Sequence, residues 1–205
     1  MHVLDPRVAG VIVLASSAVF LFVKRWTTGS FLKGRPEGGG SLWFTHVFNL
    51  FILAALNPAI AILLVARRLE ALDPTVLDPG RTPWHLGIET GGILLVLAGH
   101  SLMCWALVTM RGYFQVMGKA PRPTDRLFLS GPYRLVRHPM YASLLCLSLG
   151  MAFLTRSLAI FTLFWVHAGL ILNLIAFEEK GLRRAYGERY AAYQGRVKKL
   201  IPLFY

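Results

Sequence analysis

Long apolar runs separated by short polar blocks set the pattern of this 205-residue chain. Five runs stand out: Val8 to Val23, Leu42 to Ala66, Ile88 to Met110, Met140 to Leu154 and Leu158 to Phe177. A helix of about 20 apolar residues crosses the hydrocarbon core of a bilayer, so the pattern predicts about five transmembrane helices. Lys24 and Arg25 follow the first run, the reverse of a signal peptide, and it reads as a retained span. Asn57-Pro58 falls in the middle of the second run, where proline removes a backbone hydrogen bond and predicts a kink. Only Thr155-Arg156-Ser157 joins the last two runs, which forces a tight antiparallel hairpin. From Lys180 onward, Leu182, Tyr186, Tyr190, Tyr193, Val197 and Ile201 recur at three or four residues between basic ones. That spacing predicts a C-terminal amphipathic helix. Thr27 to Ser41, with Gly38-Gly39-Gly40, reads as a connector. Arg67 to Glu89, with Asp73-Pro74, Asp78-Pro79-Gly80 and Thr82-Pro83, reads as a turn-rich connection.

Composition agrees with this pattern: 55% of residues are hydrophobic and mean hydropathy is +0.54, too apolar for a soluble globule of this size. The expectation is a single all-α integral membrane domain over residues 1–205. The net charge of +12 does not point to nucleic acid, because the cations flank the apolar runs and form no single soluble face. With five spans and an external N-terminus, the first loop, the third loop and the tail share one face. They hold four, six and seven of the 22 Lys and Arg residues. The positive-inside rule then puts the N-terminus outside and the C-terminus in the cytoplasm. Cys104 and Cys146 both lie in apolar runs, and the six histidines show no metal-ligand spacing, so neither a disulfide framework nor a metal site is expected.

The candidate chemistry lies in two polar blocks. In Gly131-Pro132-Tyr133-Arg134-Leu135-Val136-Arg137-His138-Pro139-Met140-Tyr141, Pro139 suits the first turn of the span that follows and keeps His138 out of the helical region. His138 is thus expected at a helix mouth whose first N–H groups carry partial positive charge. With Arg134 and Arg137 nearby, that mouth suits a carboxylate or phosphate, and Tyr141 points back toward it. The second block is Glu178-Glu179, read as closing the fifth span, where a carboxylate pair opposes the helix dipole. Ion pairing with Arg134, Arg137 or Arg183 is one reading of it, and hydrogen bonding to ribose hydroxyls or an ammonium group is the other. His167, three turns before Glu178, and His100, near the centre of the third span, are intramembrane histidines. A packed, hydrogen-bonded imidazole and a functional group are both open for them.

The first block resembles the Gly-Pro-Tyr-x-x-x-Arg-His-Pro-x-Tyr motif of the isoprenylcysteine carboxyl methyltransferase and phospholipid methyltransferase superfamily. The second resembles that family's closing block, from Glu178-Glu179-Lys180-Gly181-Leu182 through Tyr186-Gly187, Tyr190, Tyr193, Val197 and Ile201-Pro202. The resemblance covers roughly residues 100–205, which it marks as the catalytic and cofactor-binding half, with residues 1–99 as N-terminal helices. It implies an integral-membrane methyltransferase with S-adenosyl-L-methionine as cofactor, in a cytoplasm-facing pocket built by the last hairpin and the tail. The acceptor would be a lipophilic or lipidated substrate entering from the membrane lipids, methylated on a carboxylate or hydroxyl oxygen. A bacterial inner membrane is the expected setting. By motif, Tyr133, Arg137, His138, Tyr141, Glu178, Glu179, Tyr190 and Tyr193 would contact the cofactor, and Glu179 and Arg183 would act in catalysis. Where the family often has glycine two residues after the motif tyrosine, this chain has Ser143, which puts helix packing there in question. Two other functions fit the same pattern: an NADPH-dependent membrane reductase related to sterol reductases, and a non-enzymatic lipid-binding membrane protein.

Overall fold

The computed structural model describes residues 5–30, 39–77, 84–111, 113 and 126–202. The connector and turn expectations for 31–38 and 78–83, much of the third polar connection (112 and 114–125) and the last three residues of the tail lie outside the described residues.

Helix α1 (Pro6–Thr28) is started by Asp5, whose side chain accepts from Arg7 N at 2.9 Å, and stopped by Gly29 in the left-handed region at φ 72°. Helices α2 (Gly40–Leu50) and α3 (Asn57–Val65) are joined by a π-helical segment, Phe51–Leu56. Pro58 explains that segment. The wider turn lets Asn57 N–H bond the carbonyl of Ile52, five residues back, and restarts the α-helix so that Pro58 falls in its first turn. The predicted kink therefore takes the form of a π turn just before the proline. A short turn, α4 (Leu69–Leu72), precedes α5 (Trp84–Thr109). Then come a 3₁₀ turn (Gly131–Arg134), α6 (Pro139–Thr155), α7 (Leu158–Tyr186) and α8 (Glu188–Arg196). The protein is an all-α integral membrane protein. Pro6–Thr28, Gly40–Val65, Leu86–Thr109 and Leu158–Tyr186 are long and apolar enough to cross a bilayer, and Pro139–Thr155 is a shorter apolar helix.

Two expectations about the C-terminal half need correction. Glu178-Glu179 does not end the fifth span, because α7 runs on to Tyr186 and holds the pair inside its hydrogen-bonded ladder. Nor is the tail one amphipathic helix from Lys180. Gly187, at φ 51°, breaks it, only Glu188–Arg196 forms α8, and the chain leaves that helix at Val197 in extended backbone. The residues read as one helical stripe therefore belong to three pieces of backbone, and the period that relates Tyr186 to Tyr190 crosses a break.

Helices α5 and α6 form the tightest pair. A Cβ at Gly92 would lie 2.8 Å from Gly150 O, and one at Gly99 would lie 2.9 Å from Ser143 O. Small residues thus let the two backbones touch, the usual way membrane helices gain close packing where no hydrophobic effect drives them together. At the end of the bundle away from the two polar blocks, Arg156, in the left-handed region at φ 56°, turns the hairpin. Its guanidinium is 3.2 Å from Glu89 and 3.5 Å from Glu70. Beside it, Asp73 accepts from Ser157 Oγ at 2.5 Å and from Thr75 Oγ1 at 2.6 Å. Burial works against the Asp73 carboxylate, but these hydrogen bonds hold its pKa below the ordinary 3.8.

Candidate functional site

Gly131 opens the site, and the geometry there requires glycine. Its φ is +59°, and a Cβ would fall 2.6 Å from Thr109 Oγ1 at the end of α5. The turn it permits presents Tyr133, and the carbonyl of Pro132 then accepts from Leu135 and Val136, bringing the chain to Arg137. His138 caps α6 with non-helical backbone (φ −123°, ψ 63°), kept out of the helical region by Pro139.

Arg137, His138 and Tyr190 converge on one oxygen, Oε1 of Glu179. Arg137 donates to it from Nε at 2.9 Å and from Nη2 at 2.7 Å, His138 Nε2 lies at 3.3 Å, and the Tyr190 hydroxyl donates at 3.4 Å. Glu179 is 8% exposed and Arg137 9%. Among the described residues, Oε2 of Glu179 accepts no hydrogen bond. Glu178 lies on the other side of His138, with Oε2 at 3.9 Å from Nδ1, and its Oε1 accepts from the Tyr141 hydroxyl at 2.5 Å. The Tyr141 ring stacks on the His138 imidazole, with centroids 5.7 Å apart. Both carboxylates, both cationic or near-cationic side chains and two tyrosines therefore share one small volume at the mouth of the hairpin.

The tail closes over this volume through backbone as much as side chain. Arg137 N donates to Lys198 O at 2.8 Å and His138 N to Lys199 O at 3.0 Å, a short parallel bridge centred on Val136 and Lys198. The Arg137 guanidinium also donates to the carbonyls of Val197 and Gln194. Tyr193 donates to the carbonyl of Tyr133 at 2.5 Å and so ties α8 to the 3₁₀ turn. Sequence reasoning missed these tail carbonyls, because a backbone acceptor carries no residue signature. The one available signal was Gly187, which marks where the helical period must stop.

Not every candidate joins the cluster. Arg183 is exposed, one turn beyond Glu179, and donates to Gln194 Oε1 at 2.7 Å. Arg134 is exposed too. Tyr133 lies beside the cluster, with its ring against Phe128 and its hydroxyl directed at Met110 Sδ. Burial pushes the Tyr193 phenol up to about 12. Burial likewise raises Tyr133, helped by Tyr193 and Glu178, and raises Tyr190, helped by Glu179. At neutral pH all three are protonated donors and cannot serve as bases. His167 is packed: Nε2 meets Asn49 Oδ1 at 2.7 Å and Nδ1 meets Ser148 Oγ at 3.2 Å. Ser143 is fully buried and donates to Met140 O at 2.6 Å. Its side chain is absorbed along its own helix, while Gly99 supplies the clearance opposite.

Comparison with known proteins bears on the same part of the chain. A family model described as phospholipid methyltransferase matches residues 88–189, which include α6, the carboxylate pair and the start of α8. Protein-S-isoprenylcysteine O-methyltransferase B of Arabidopsis thaliana is 27% identical over 153 residues, covering 74% of this chain and 76% of that one. Protein-S-isoprenylcysteine O-methyltransferase A of the same plant is 25% identical over 181 residues, covering 79% and 89%. The motif blocks, the helical membrane fold and these matches together support the isoprenylcysteine carboxyl methyltransferase and phospholipid methyltransferase superfamily for this chain.

Proposed function

We propose that this membrane methyltransferase takes its methyl group from S-adenosyl-L-methionine and places it on an oxygen of a lipophilic acceptor at the cytoplasmic membrane face. The observation that carries the reading is the convergence of Arg137, His138 and Tyr190 on one oxygen of Glu179, which leaves its other oxygen open. The donor set fits the cofactor. Oε2 of Glu179 suits an ammonium or a ribose hydroxyl, Glu178 is a second acceptor next to it, and the His138–Tyr141 stack offers aromatic faces to an adenine. Arg137 balances the buried carboxylate and fastens the tail, so its part is positioning. When bound, the cofactor supplies an electrophilic methyl on a sulfonium. The protein's own contribution is alignment and exclusion of water, and the tail over the hairpin mouth serves the second.

Oxygen methylation is favoured because the plant relatives are by name O-methyltransferases. A carboxylate acceptor needs no base. For a hydroxyl acceptor, Glu179 and His138 are the candidates, since the tyrosines stay protonated. Exposure of Arg183, which donates to Gln194, leaves it accessible to an anionic acceptor on this reading. The cytoplasmic assignment rests on the excess of basic residues at the site end of the bundle.

Calorimetry on the purified protein tests the reading. S-adenosylhomocysteine should bind, NADPH should not, and Glu179→Gln should weaken binding about tenfold while the protein stays folded. Binding of NADPH in place of S-adenosylhomocysteine would overturn it. Growth on methyl-deuterated methionine, followed by lipid extraction from cells with and without the gene, identifies the acceptor.

A further inference from the structure

His100 and His167 are both buried imidazoles within the spans, at 5% and 0% exposure, and the bundle treats them differently. His167 satisfies both ring nitrogens, with Asn49 on α2 and Ser148 on α6, as a structural polar group in a bilayer must. His100 Nδ1 has no hydrogen-bond partner among the described residues. Its ring rests against Phe20 of α1, with centroids 5.9 Å apart. An unpaired buried polar group lowers stability, and a leucine or phenylalanine would pack there without that cost.

The position of His100 is informative. Gly99, its neighbour, meets the backbone of Ser143, five residues beyond His138 on α6. At 1.5 Å per residue, His100 is thus roughly 8 Å deeper in the bundle than His138. One turn along α5, Met103 meets Ser143 Oγ at 3.5 Å and belongs to the same apolar cluster as Tyr141, Leu107 and Phe20. Phe20, His100 and Met103 therefore pack deeper in the bundle than the Tyr141–Glu178 pair, the side from which a lipophilic acceptor would come on the methyltransferase reading.

We propose that His100 is the acceptor-side polar contact of this enzyme: its ring hydrogen-bonds an oxygen function of the lipophilic acceptor, with Phe20 and Met103 as apolar walls. This rests on the methyltransferase reading above. It narrows the acceptor to a lipophilic molecule with a hydroxyl or carbonyl oxygen within reach of His100, since a bare hydrocarbon tail has nothing to offer an imidazole.

Full-length wild type, His100→Phe and His100→Gln separate the possibilities. Three properties are measured: the thermal midpoint in detergent, S-adenosylhomocysteine affinity by calorimetry, and incorporation of labelled methyl into a total lipid extract of the source cells. His100→Phe should unfold at the same or a higher temperature and bind S-adenosylhomocysteine unchanged, yet incorporate methyl about tenfold less. His100→Gln, which keeps a donor and an acceptor, should retain more activity than His100→Phe. Unchanged incorporation by His100→Phe would overturn the proposal, and so would a lowered midpoint with parallel loss of S-adenosylhomocysteine binding, which would make the imidazole structural. If the wild type itself fails to bind S-adenosylhomocysteine, the cofactor reading falls first and takes this one with it.

Discussion

Arg137 and Glu179 show what a motif discloses and what it withholds. Their residue types, together with those of His138, Tyr141 and Glu178, are legible in the sequence as chemistry. Ion pairing of the carboxylates is one of the readings the sequence offers, but the choice of Arg137 over Arg134 and Arg183 is not legible there, because it depends on α7 continuing past the carboxylates and on the tail returning to meet α6. The geometry has a measurable consequence. A buried guanidinium that donates to a carboxylate and two carbonyls cannot be removed without stranding Glu179. Arg137→Ala should therefore cost about 3–5 kcal/mol in thermal or denaturant unfolding. Arg137→Lys should recover only part of that, since an ammonium cannot reproduce the forked contacts. Tyr193→Phe removes one hydrogen bond to Tyr133 O and should cost about 1 kcal/mol. Its effect should show as faster proteolysis between α7 and α8 rather than as loss of helix content.

At the scale of elements, the apolar runs locate the four helices long enough to cross a bilayer and the shorter apolar helix Pro139–Thr155, because lipid demands continuous hydrophobicity and that demand is written directly in composition. Their ends are less legible. The polar extension of α7 is invisible to hydropathy, which stops at Phe177, whereas backbone hydrogen bonding continues to Tyr186. The π turn at Phe51–Leu56 is likewise a response to Pro58 that the position of the proline announces without fixing its form. The α5–α6 seam makes a sharper claim. Gly150 faces Gly92 O and Val96 so closely that a valine side chain has no room. Gly150→Val should cost about 1–3 kcal/mol and spread the hairpin from α5. Ser143→Gly, which removes a hydroxyl bonded mainly to Met140 O of its own helix and adds backbone freedom, should cost about 0.5–1 kcal/mol. A melting comparison of the two variants in one detergent checks the seam directly.

Over the whole molecule, the two ends of the bundle divide the work, and thermodynamic linkage makes the division measurable. The far end is fastened by side chains: Arg156 with Glu89 and Glu70, Asp73 with Ser157 and Thr75, and Arg67 with Asp5 at 3.0 Å. The site end is fastened by the tail and by Glu179, the groups proposed to meet the cofactor. A ligand that binds only the folded protein stabilises it by about 2.7 kcal/mol at 100 times its Kd, wherever else the fold has been weakened. Asp73→Asn and Glu89→Gln should thus lower the midpoint in the absence of ligand yet gain the full wild-type increment from S-adenosylhomocysteine. Glu179→Gln should gain little, and Arg137→Ala should both start lower and gain little. Acid sharpens the contrast. The Asp73 pKa is depressed on folding, so its contribution is present above the ordinary value of 3.8 and is lost as pH falls through the lower folded value. Wild type should therefore lose part of its far-end stability only in strong acid, and Asp73→Asn should not show that component. If Asp73→Asn and Glu179→Gln instead lost the ligand increment equally, the two ends would be coupled through the bundle rather than divided.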